Sequence, residues 1–431
     1  KGLLPKSTFF ITYYWWEISP VNKHKQTIMK TKVIPLIASG ILTAGLFSCD
    51  SETINRRIEY PVVNQDSAVT DATFVQTKKG KKIKVAILLD TSSSMDGLIE
   101  QTKNQLWKIV MELAKSKDSD GLDPDIELAL YHYGNSSLSI TKGYIQMIQS
   151  FTGELDEISE KLFALRTSGG NEYCGAVINT SLSELEWSNN PGDLQVIYIA
   201  GNEEFNQGGI GYESACAVAK NKNVIVNTIF CGKRSEGINT FWKHAADLTG
   251  GNFASINSDA KTVHYKSPYD VQISNLNVEL NSTYVSFNKI GIEKKAKQIK
   301  EDQNASFYGS GNATKRYLSK SSKVYKNSSW DLVDASKKKG FKIEEINKVH
   351  LPDSLSQLTA TELKVRINEL AVKRTAIKKE MSSLNKQREA FVNSEKAKLS
   401  KLDTNMLDDV MIKGLREQAG RKLFTFQSEI N

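Results

Sequence analysis

The sequence predicts an α/β protein: a doubly wound, mostly parallel sheet, then a mixed region, then a C-terminal helical hairpin or coiled coil. Three observations carry this. Between residues 83 and 260, short apolar runs alternate with stretches of helical period, as repeated βα units do. The first run, Lys84-Val85-Ala86-Ile87-Leu88-Leu89, is apolar almost throughout, as a strand covered on both faces must be. From Leu363 to Phe391 apolar residues recur at spacings of three and four.

The elements follow in order. After Lys84–Leu89, the residues Leu106, Ile109, Val110 and Leu113 make one apolar helix face. Asp123-Pro124 breaks the chain, and Ile126, Leu128 and Leu130 alternate as a strand. Gly143–Ile148 reads as a short third strand, and Leu155, Ile158 and Leu162 as a helix. Leu194–Ala200 and Val224–Phe230 are strands flanking a short Ala-rich helix, Tyr212–Asn221. Thr240–Leu248 reads as helical and Asn252–Ile256 as the last strand. Val271 to Phe287 is expected to add one or two strands, and Trp330 with Leu332 and Val333 to pack on another element. Thr359 and Glu362 form a capping box ahead of Leu363, Ile367, Leu370, Ile377, Met381, Leu384 and Phe391. Arg374 and Arg388 interrupt that stripe, which argues against a two-stranded dimer and for an intramolecular hairpin or a polar partner groove. Leu407 to Lys422 supplies a second helix.

Ligands of such sheets bind outside the carboxyl ends of the strands. The first strand ends there, on Asp90-Thr91-Ser92-Ser93-Ser94. One carboxylate and two hydroxyls at alternate positions form one side of an oxygen cage, which suits a hard divalent cation. The simpler alternative is that Asp90 and Ser92 hold the loop and cap the next helix. The Asp-x-Ser-x-Ser spacing resembles the metal-ion-dependent adhesion site of von Willebrand factor type A (VWA) domains. The segments Gly169-Gly170-Asn171-Glu172-Tyr173-Cys174-Gly175, Ile199-Ala200-Gly201-Asn202-Glu203 and Asn227–Gly232 resemble VWA lipoproteins of Bacteroidota-type bacteria. The resemblance implies a bound Mg²⁺ or Mn²⁺ held by Asp90, Ser92 and Ser94, completed by a ligand carboxylate. It also implies a Thr from a second loop and an Asp from a third. Here those positions fall on Asn171 and Gly201, so Asn171 or Glu172, and Asn202 or Glu203, are the substitutes.

The chain begins with Lys1, and residues 1–28 read as sequence upstream of a start at Met29. Residues 29–48 carry Lys30 and Lys32 and then an apolar stretch from Val33 to Phe47, the pattern of a signal peptide. Leu46-Phe47-Ser48-Cys49 resembles the lipobox of bacterial lipoproteins, which implies acylation of Cys49. Multiple acyl chains anchor a protein stably. Residues 49–82 are polar and read as a tether. Residues 83–260 are the sheet domain, 261–350 a mixed extension and 351–431 the helical region. The location expected is the cell envelope, lipid-anchored, in the outer membrane of a Gram-negative bacterium.

The net charge of +8 is unevenly placed. From Val271 onward there are 30 Lys and Arg against 19 Asp and Glu, an excess of 11. A solvated helix surface accounts for it, with acidic lipid or glycan as the sharper alternative; no aromatic–basic motif or zinc knuckle accompanies it, so nucleic acid is not an expected partner. Cys174, Cys216 and Cys231 remain in an exported chain: Cys174–Cys231 and Cys174–Cys216 are both open pairings, beside three buried thiols. The five His residues show no ligand spacing, and His132 reads as a strand-end residue. No Walker loop, nucleophile elbow or nucleophile–base pair is present, so no enzymatic activity is expected. The sequence thus points to a binding protein with a protein partner. The alternative is a structural lipoprotein acting through its basic C-terminal helices.

Overall fold

The computed structural model describes residues 80–426 apart from 97, 257–264, 308–309, 323 and 400–405. The expectations for the start at Met29, the signal peptide, Cys49 and the tether to residue 79 lie outside the described residues. Six strands form the central sheet: β1 (Lys82–Asp90), β2 (Asp125–Tyr133), β3 (Ile145–Thr152), β4 (Leu194–Gly201), β5 (Ile225–Cys231) and β6 (Phe253–Ile256). Their spatial order is β3-β2-β1-β4-β5-β6, with β1 at the centre. All neighbours are parallel except β3, which runs antiparallel to β2. This is a doubly wound sheet whose order reverses beside β1.

The sheet is buried on both sides because side chains alternate along each strand. Ile83, Val85, Ile87 and Leu89 enter one core with α1 (Ile99–Leu113) and α2 (Leu155–Ala164). Ala86 and Leu88 enter the other core with α3 (Cys174–Glu184), α4 (Tyr212–Asn221) and α6 (Trp242–Thr249). A short α5 (Arg234–Asn239) precedes α6. The helix α3 has no counterpart in the reading from sequence. Its buried Val177, Ile178, Ser181 and Leu182 do follow a helical period, but β-branched and hydroxyl residues blur it.

The chain after the sheet is helical: α7 (Asp270–Ser282), α8 (Gly291–Phe307), α9 (Ser310–Ser321), α10 (Leu332–Ala335), α11 (Asp353–Ser356), α12 (Ala360–Leu399) and α13 (Met406–Arg421). The expected strands in 271–287 are thus corrected to α7. Ile273, Leu276, Asn277 and Leu280 are its buried residues, at i, i+3, i+4 and i+7, which only a helix places on one side. Trp330 is buried against Tyr284, ring centroids 5.8 Å apart.

Helix α12 starts at the capping box: Glu362 accepts from the Thr359 N–H at 2.8 Å, and Thr359 Oγ1 accepts from the Glu362 N–H at 3.3 Å. Its buried side, Leu363, Ile367, Leu370, Ile377 and Met381, lies on α7, α9 and α10, while α13 lies on α1 and β6. The surface on which these two helices fold back is the body of the protein. The two arginines in the stripe are explained by distant carboxylates. Arg374, 2% exposed, bonds Asp331 at 2.6 Å, Asp334 at 2.9 Å and the Thr283 carbonyl at 2.6 Å. Arg388 bonds Asp270 at 2.8 Å.

Part of the basic excess is also turned inward. The outer side of α2 carries Asp156, Glu157 and Glu160, with Glu154 just ahead of it. Against it lie Lys294 (2.6 Å from Glu154), Lys297 (2.6 Å from Glu160) and Arg316 (2.5 Å from Asp156). The short pair Ser116–Lys117 and Thr425–Phe426 forms a separate antiparallel ribbon. Among the described residues no helix is long and apolar enough to cross a membrane.

Candidate functional site

The parallel strands end at one edge of the sheet, and the loops there carry the oxygen-rich residues. Register places Asp90, the last residue of β1, beside Tyr133 at the end of β2. Asp90 Oδ1 accepts from the Ser92 N–H at 2.7 Å, which turns the loop back over the strand end. The Ser92 and Ser94 hydroxyls lie 2.7 Å apart. Ser94 Oγ donates to Asn202 Oδ1 at 2.8 Å, and Asn202 Nδ2 donates to the Ser94 carbonyl at 3.1 Å. The loop after β1 is thereby clamped to the loop after β4.

The second oxygen of Asp90, Oδ2, is buried and has no partner. A buried acceptor left alone costs free energy. Burial is the main reason the Asp90 carboxyl is pushed up to about 7; the Ser92 N–H and hydroxyl oppose it, and the charges of Glu172 and Glu203 add to it. Glu172 is buried too, and burial raises its carboxyl, partly offset by the Ser92 hydroxyl and reinforced by Glu203. Asn171, by contrast, is exposed, and Glu203 is half-buried. Of the two substitutes on the second loop, Glu172 is the one turned toward Asp90.

Two glycines permit this arrangement. Gly134, at φ +74, follows β2, and a Cβ there would stand 2.8 Å from both Asp90 Oδ1 and Glu172 Cγ. Gly201 lies where the resemblance places an Asp. A Cβ on it would meet Tyr133 Oη at 2.7 Å, Trp242 Cη2 at 3.0 Å and Asp90 Cβ at 3.1 Å. The volume that an Asp at 201 would need is already filled by two aromatic side chains. Of the two candidates on that loop, Asn202 bonds Ser94, and the Glu203 carbonyl is held by Trp242 Nε1 at 2.7 Å.

Asn135 ties the remaining loops together and was not evident from sequence. Its Nδ2 donates to the Thr91 carbonyl at 3.1 Å and the Arg166 carbonyl at 3.0 Å, while Oδ1 accepts from the Ser137 N–H at 3.0 Å. The Ser168 N–H donates to the Thr91 carbonyl at 2.9 Å. The only signal for Asn135 is the Gly-Asn pair at a strand end, common turn chemistry. His132 spans Thr91 Oγ1 (3.1 Å) and Gln146 Oε1 (3.0 Å), and burial lowers its pKa, so it serves the scaffold.

The three cysteines are free and buried. Cys174 belongs to one core and Cys231 to the other, on opposite faces of the sheet. Burial pushes Cys216 and Cys231 up to about 12 and Cys174 higher still, so none is a ready nucleophile.

Among the described residues no three His, Cys, Asp or Glu side chains are grouped to hold a metal ion. An ion at Asp90 would therefore rest on hydroxyls as much as on carboxylates. The donor set does fit a hard divalent ion: an orphaned carboxylate oxygen, two adjacent hydroxyls and a second buried carboxylate.

No protein-family model matches the chain, and no curated protein matches it. Comparison with solved structures finds VWA domains. The SpRpn10 VWA domain is 18% identical over 42% of this chain and 90% of its own, at a TM-score of 0.31. The conserved hypothetical protein BatB from Bacteroides thetaiotaomicron is 18% identical over 41% and 90%, at 0.31. Proximal thread matrix protein 1 from the mussel byssus, with a zinc-occupied MIDAS motif, is 13% identical over 42% and 43%, at 0.32. This chain thus spans less than half the length of the mussel protein.

Proposed function

We propose that this is a binding protein that recognises a protein partner through the carboxyl-end face of its sheet, with a divalent ion at Asp90. The observation that carries the reading is the buried, unpartnered Oδ2 of Asp90 among the hydroxyls of Ser92 and Ser94. A buried carboxylate oxygen without a partner costs free energy, and a cation would satisfy it. Asp90, Ser92, Ser94 and Glu172 would hold Mg²⁺ or Mn²⁺, with Asn171 and Glu203 at the margin. When bound, the ion supplies a positive centre that a partner's oxygen can complete. The chain's own residues do the rest: Asn202 and Asn135 fix the loops, and Gly134 lets Asp90 and Glu172 approach. Tethering through an acylated Cys49 would hold this face at the envelope; the lipobox-like sequence supports the lipid anchor, and the outer membrane rests on the resemblance to Bacteroidota-type lipoproteins alone.

The test is calorimetric titration of Mg²⁺ and Mn²⁺ into the protein, with Ser92→Ala/Ser94→Ala as control. Saturable binding by the wild type and its loss in the variant are expected. No heat and no metal-dependent rise in Tm would sink the ion.

A second reading has one observation behind it. On the outer side of α12, Val365 and Val372 are 55% and 61% exposed, beside a groove of about 330 Å³ lined by Leu358, Thr361, Glu362, Val365, Arg366 and Glu369. A lipoprotein acting through its C-terminal helices would use that side. Val365→Glu/Val372→Glu, at exposed positions, would then abolish partner capture while Ser92→Ala/Ser94→Ala leaves it intact.

A further inference from the structure

The chain enters the sheet at the amino ends of the parallel strands, the edge opposite Asp90. Lys82 begins β1 beside Asp125, the first residue of β2. The antiparallel β3 finishes at that same edge, with Thr152 beside Leu128. Glu154, two residues on, accepts from Ser329 Oγ at 2.5 Å and pairs with Lys294 at 2.6 Å. Ser329 stands three residues ahead of α10, so α10 begins beside the edge by which the chain enters. The acids nearest that entry are occupied: Asp118 accepts from the Lys81 N–H at 3.1 Å, Asp193 from the Lys82 N–H at 2.9 Å, and Asp123 pairs with Lys117 at 2.6 Å.

The segment that leaves α10 is basic and turned outward. From Lys337 to Lys348 there are five lysines against two glutamates. All five, Lys337, Lys338, Lys339, Lys342 and Lys348, are exposed, whereas Lys294, Lys297 and Arg374 face acids of the body. Lys337 lies 3.6 Å from Asp334, which Arg374 already holds, and Lys342 pairs with the exposed Glu345 at 2.6 Å. Exposed pairs of this kind are weak and leave the excess charge on the surface. The segment is a fixed platform. Phe341, Ile343 and Ile346 pack inward on the core of Val285, Leu332 and Leu363, and Phe341 meets Phe287, ring centroids 5.9 Å apart. Asn347 Oδ1 accepts from the Val349 N–H at 3.1 Å, and the turn so made holds Val349 out. At 84% it is the most exposed large apolar residue among the described residues.

From these observations we infer that the segment 337–349 is a membrane contact: its lysines lie on anionic phospholipid headgroups, and Val349 enters the headgroup layer. Clustered lysines beside a bilayer are drawn to its anionic lipids. A nucleic acid fits less well, because no aromatic ring between residues 337 and 349 is exposed for a base to stack on. The choice of a bilayer rests on the reading of Cys49 as an acylated anchor, since α10 begins at the edge by which the tethered chain enters. The consequence is orientation. An acyl anchor alone lets the body tumble at the end of its tether; this second contact holds the amino-end edge down and turns the Asp90 face away from the bilayer, toward a partner in solution.

The test is flotation with vesicles of phosphatidylcholine alone or with one-third phosphatidylglycerol. It uses the chain from residue 49 onward with Cys49→Ser, so that neither leader nor acyl chain contributes. Binding to the anionic vesicles alone, weakening as NaCl rises, is expected. Each lysine beside an anionic surface is worth about fivefold in partitioning, so Lys337→Gln/Lys338→Gln/Lys339→Gln should lose about a hundredfold. The control, Lys142→Gln/Lys220→Gln/Lys233→Gln, removes the same charge from exposed positions elsewhere and should lose far less. No binding to anionic vesicles, equal binding to both kinds, or equal losses in the two variants would overturn the inference. So would capture of a DNA single strand by the same lysines with no capture of vesicles. Labelling of the natural Cys49 with a palmitate analogue reads the anchor separately. An unlabelled Cys49 removes the anchor, and the lipid contact is then judged on the vesicles alone.

Discussion

Replacing Asp90 by Asn tests the physics of the site directly. The Asp90 carboxyl is pushed up to about 7 from an ordinary value of 3.8, chiefly by burial. A group whose pKa is raised by folding contributes stability below its unfolded value and loses it as pH rises through the folded value. The metal-free protein should therefore be most stable on this account below about pH 4 and lose that contribution between about pH 4 and 7. A shift of roughly three pH units corresponds to about 4 kcal/mol when Asp90 is fully ionised. Asn keeps the shape and an acceptor for the Ser92 N–H, and carries no charge. It leaves one buried amide group without a partner, which costs about 1–3 kcal/mol. The net expectation is that Asp90→Asn is more stable than wild type by about 1–3 kcal/mol at pH 8 in EDTA and no more stable near pH 4. Urea unfolding at several pH values in EDTA measures it. Asp90→Asn less stable than wild type at pH 8, or a wild-type stability flat from pH 5 to 8, would show that Asp90 is not a destabilised carboxylate. The idea that it is held ready for a cation would fall with it.

Arg374→Ala should lower stability by about 3–5 kcal/mol in urea unfolding, because among the described residues Arg374 is the cation that pairs with the buried Asp331. A loss under about 1 kcal/mol would mean that Asp331 is satisfied by its backbone donors alone. Gly201→Ala should cost about 1–3 kcal/mol, since its Cβ would lie 2.7 Å from Tyr133 Oη. An unchanged Tm would mean that Tyr133 and Trp242 yield easily and that an Asp is sterically possible there. Met381→Ala, on the fully buried side of α12, should cost about 2–5 kcal/mol. Loss of helicity without loss of sheet stability would instead separate α12 from the core.

The sheet was legible because its strands are buried on both faces and therefore apolar nearly throughout: Lys84–Leu89, Leu194–Ala200 and Val224–Phe230 each lie on or within one residue of an observed strand. Asp90, Ser92 and Ser94 were legible because they share one short loop. The rest of the site was not, since it is assembled by space rather than by spacing. Nothing in the sequence separates the exposed Asn171 from the buried Glu172, because that depends on the vacancy that Gly134 leaves 44 residues from Asp90. The arginines of α12 read as interruptions until Asp331, Asp334 and Asp270 were placed beside them. The helix α7 was misread because only its tertiary setting shows which of its apolar residues share a face.

The far side of the sheet is completed late. Asn227 of β5 and Gln418 of α13 exchange amide hydrogen bonds at 3.2 and 2.7 Å across 191 residues. Gly414 lies against Asn252 just ahead of β6, where any larger residue would collide. A chain emerging from the ribosome can pair β1 with β2 early, yet its last strands and the Asn227 amide stay uncovered until residue 418 is made. An open flank of that kind exposes apolar surface and strand edge, which is what makes incomplete chains aggregate or engage chaperones. An expression boundary drawn before α13 would leave the Asn227 amide and that flank of the sheet uncovered.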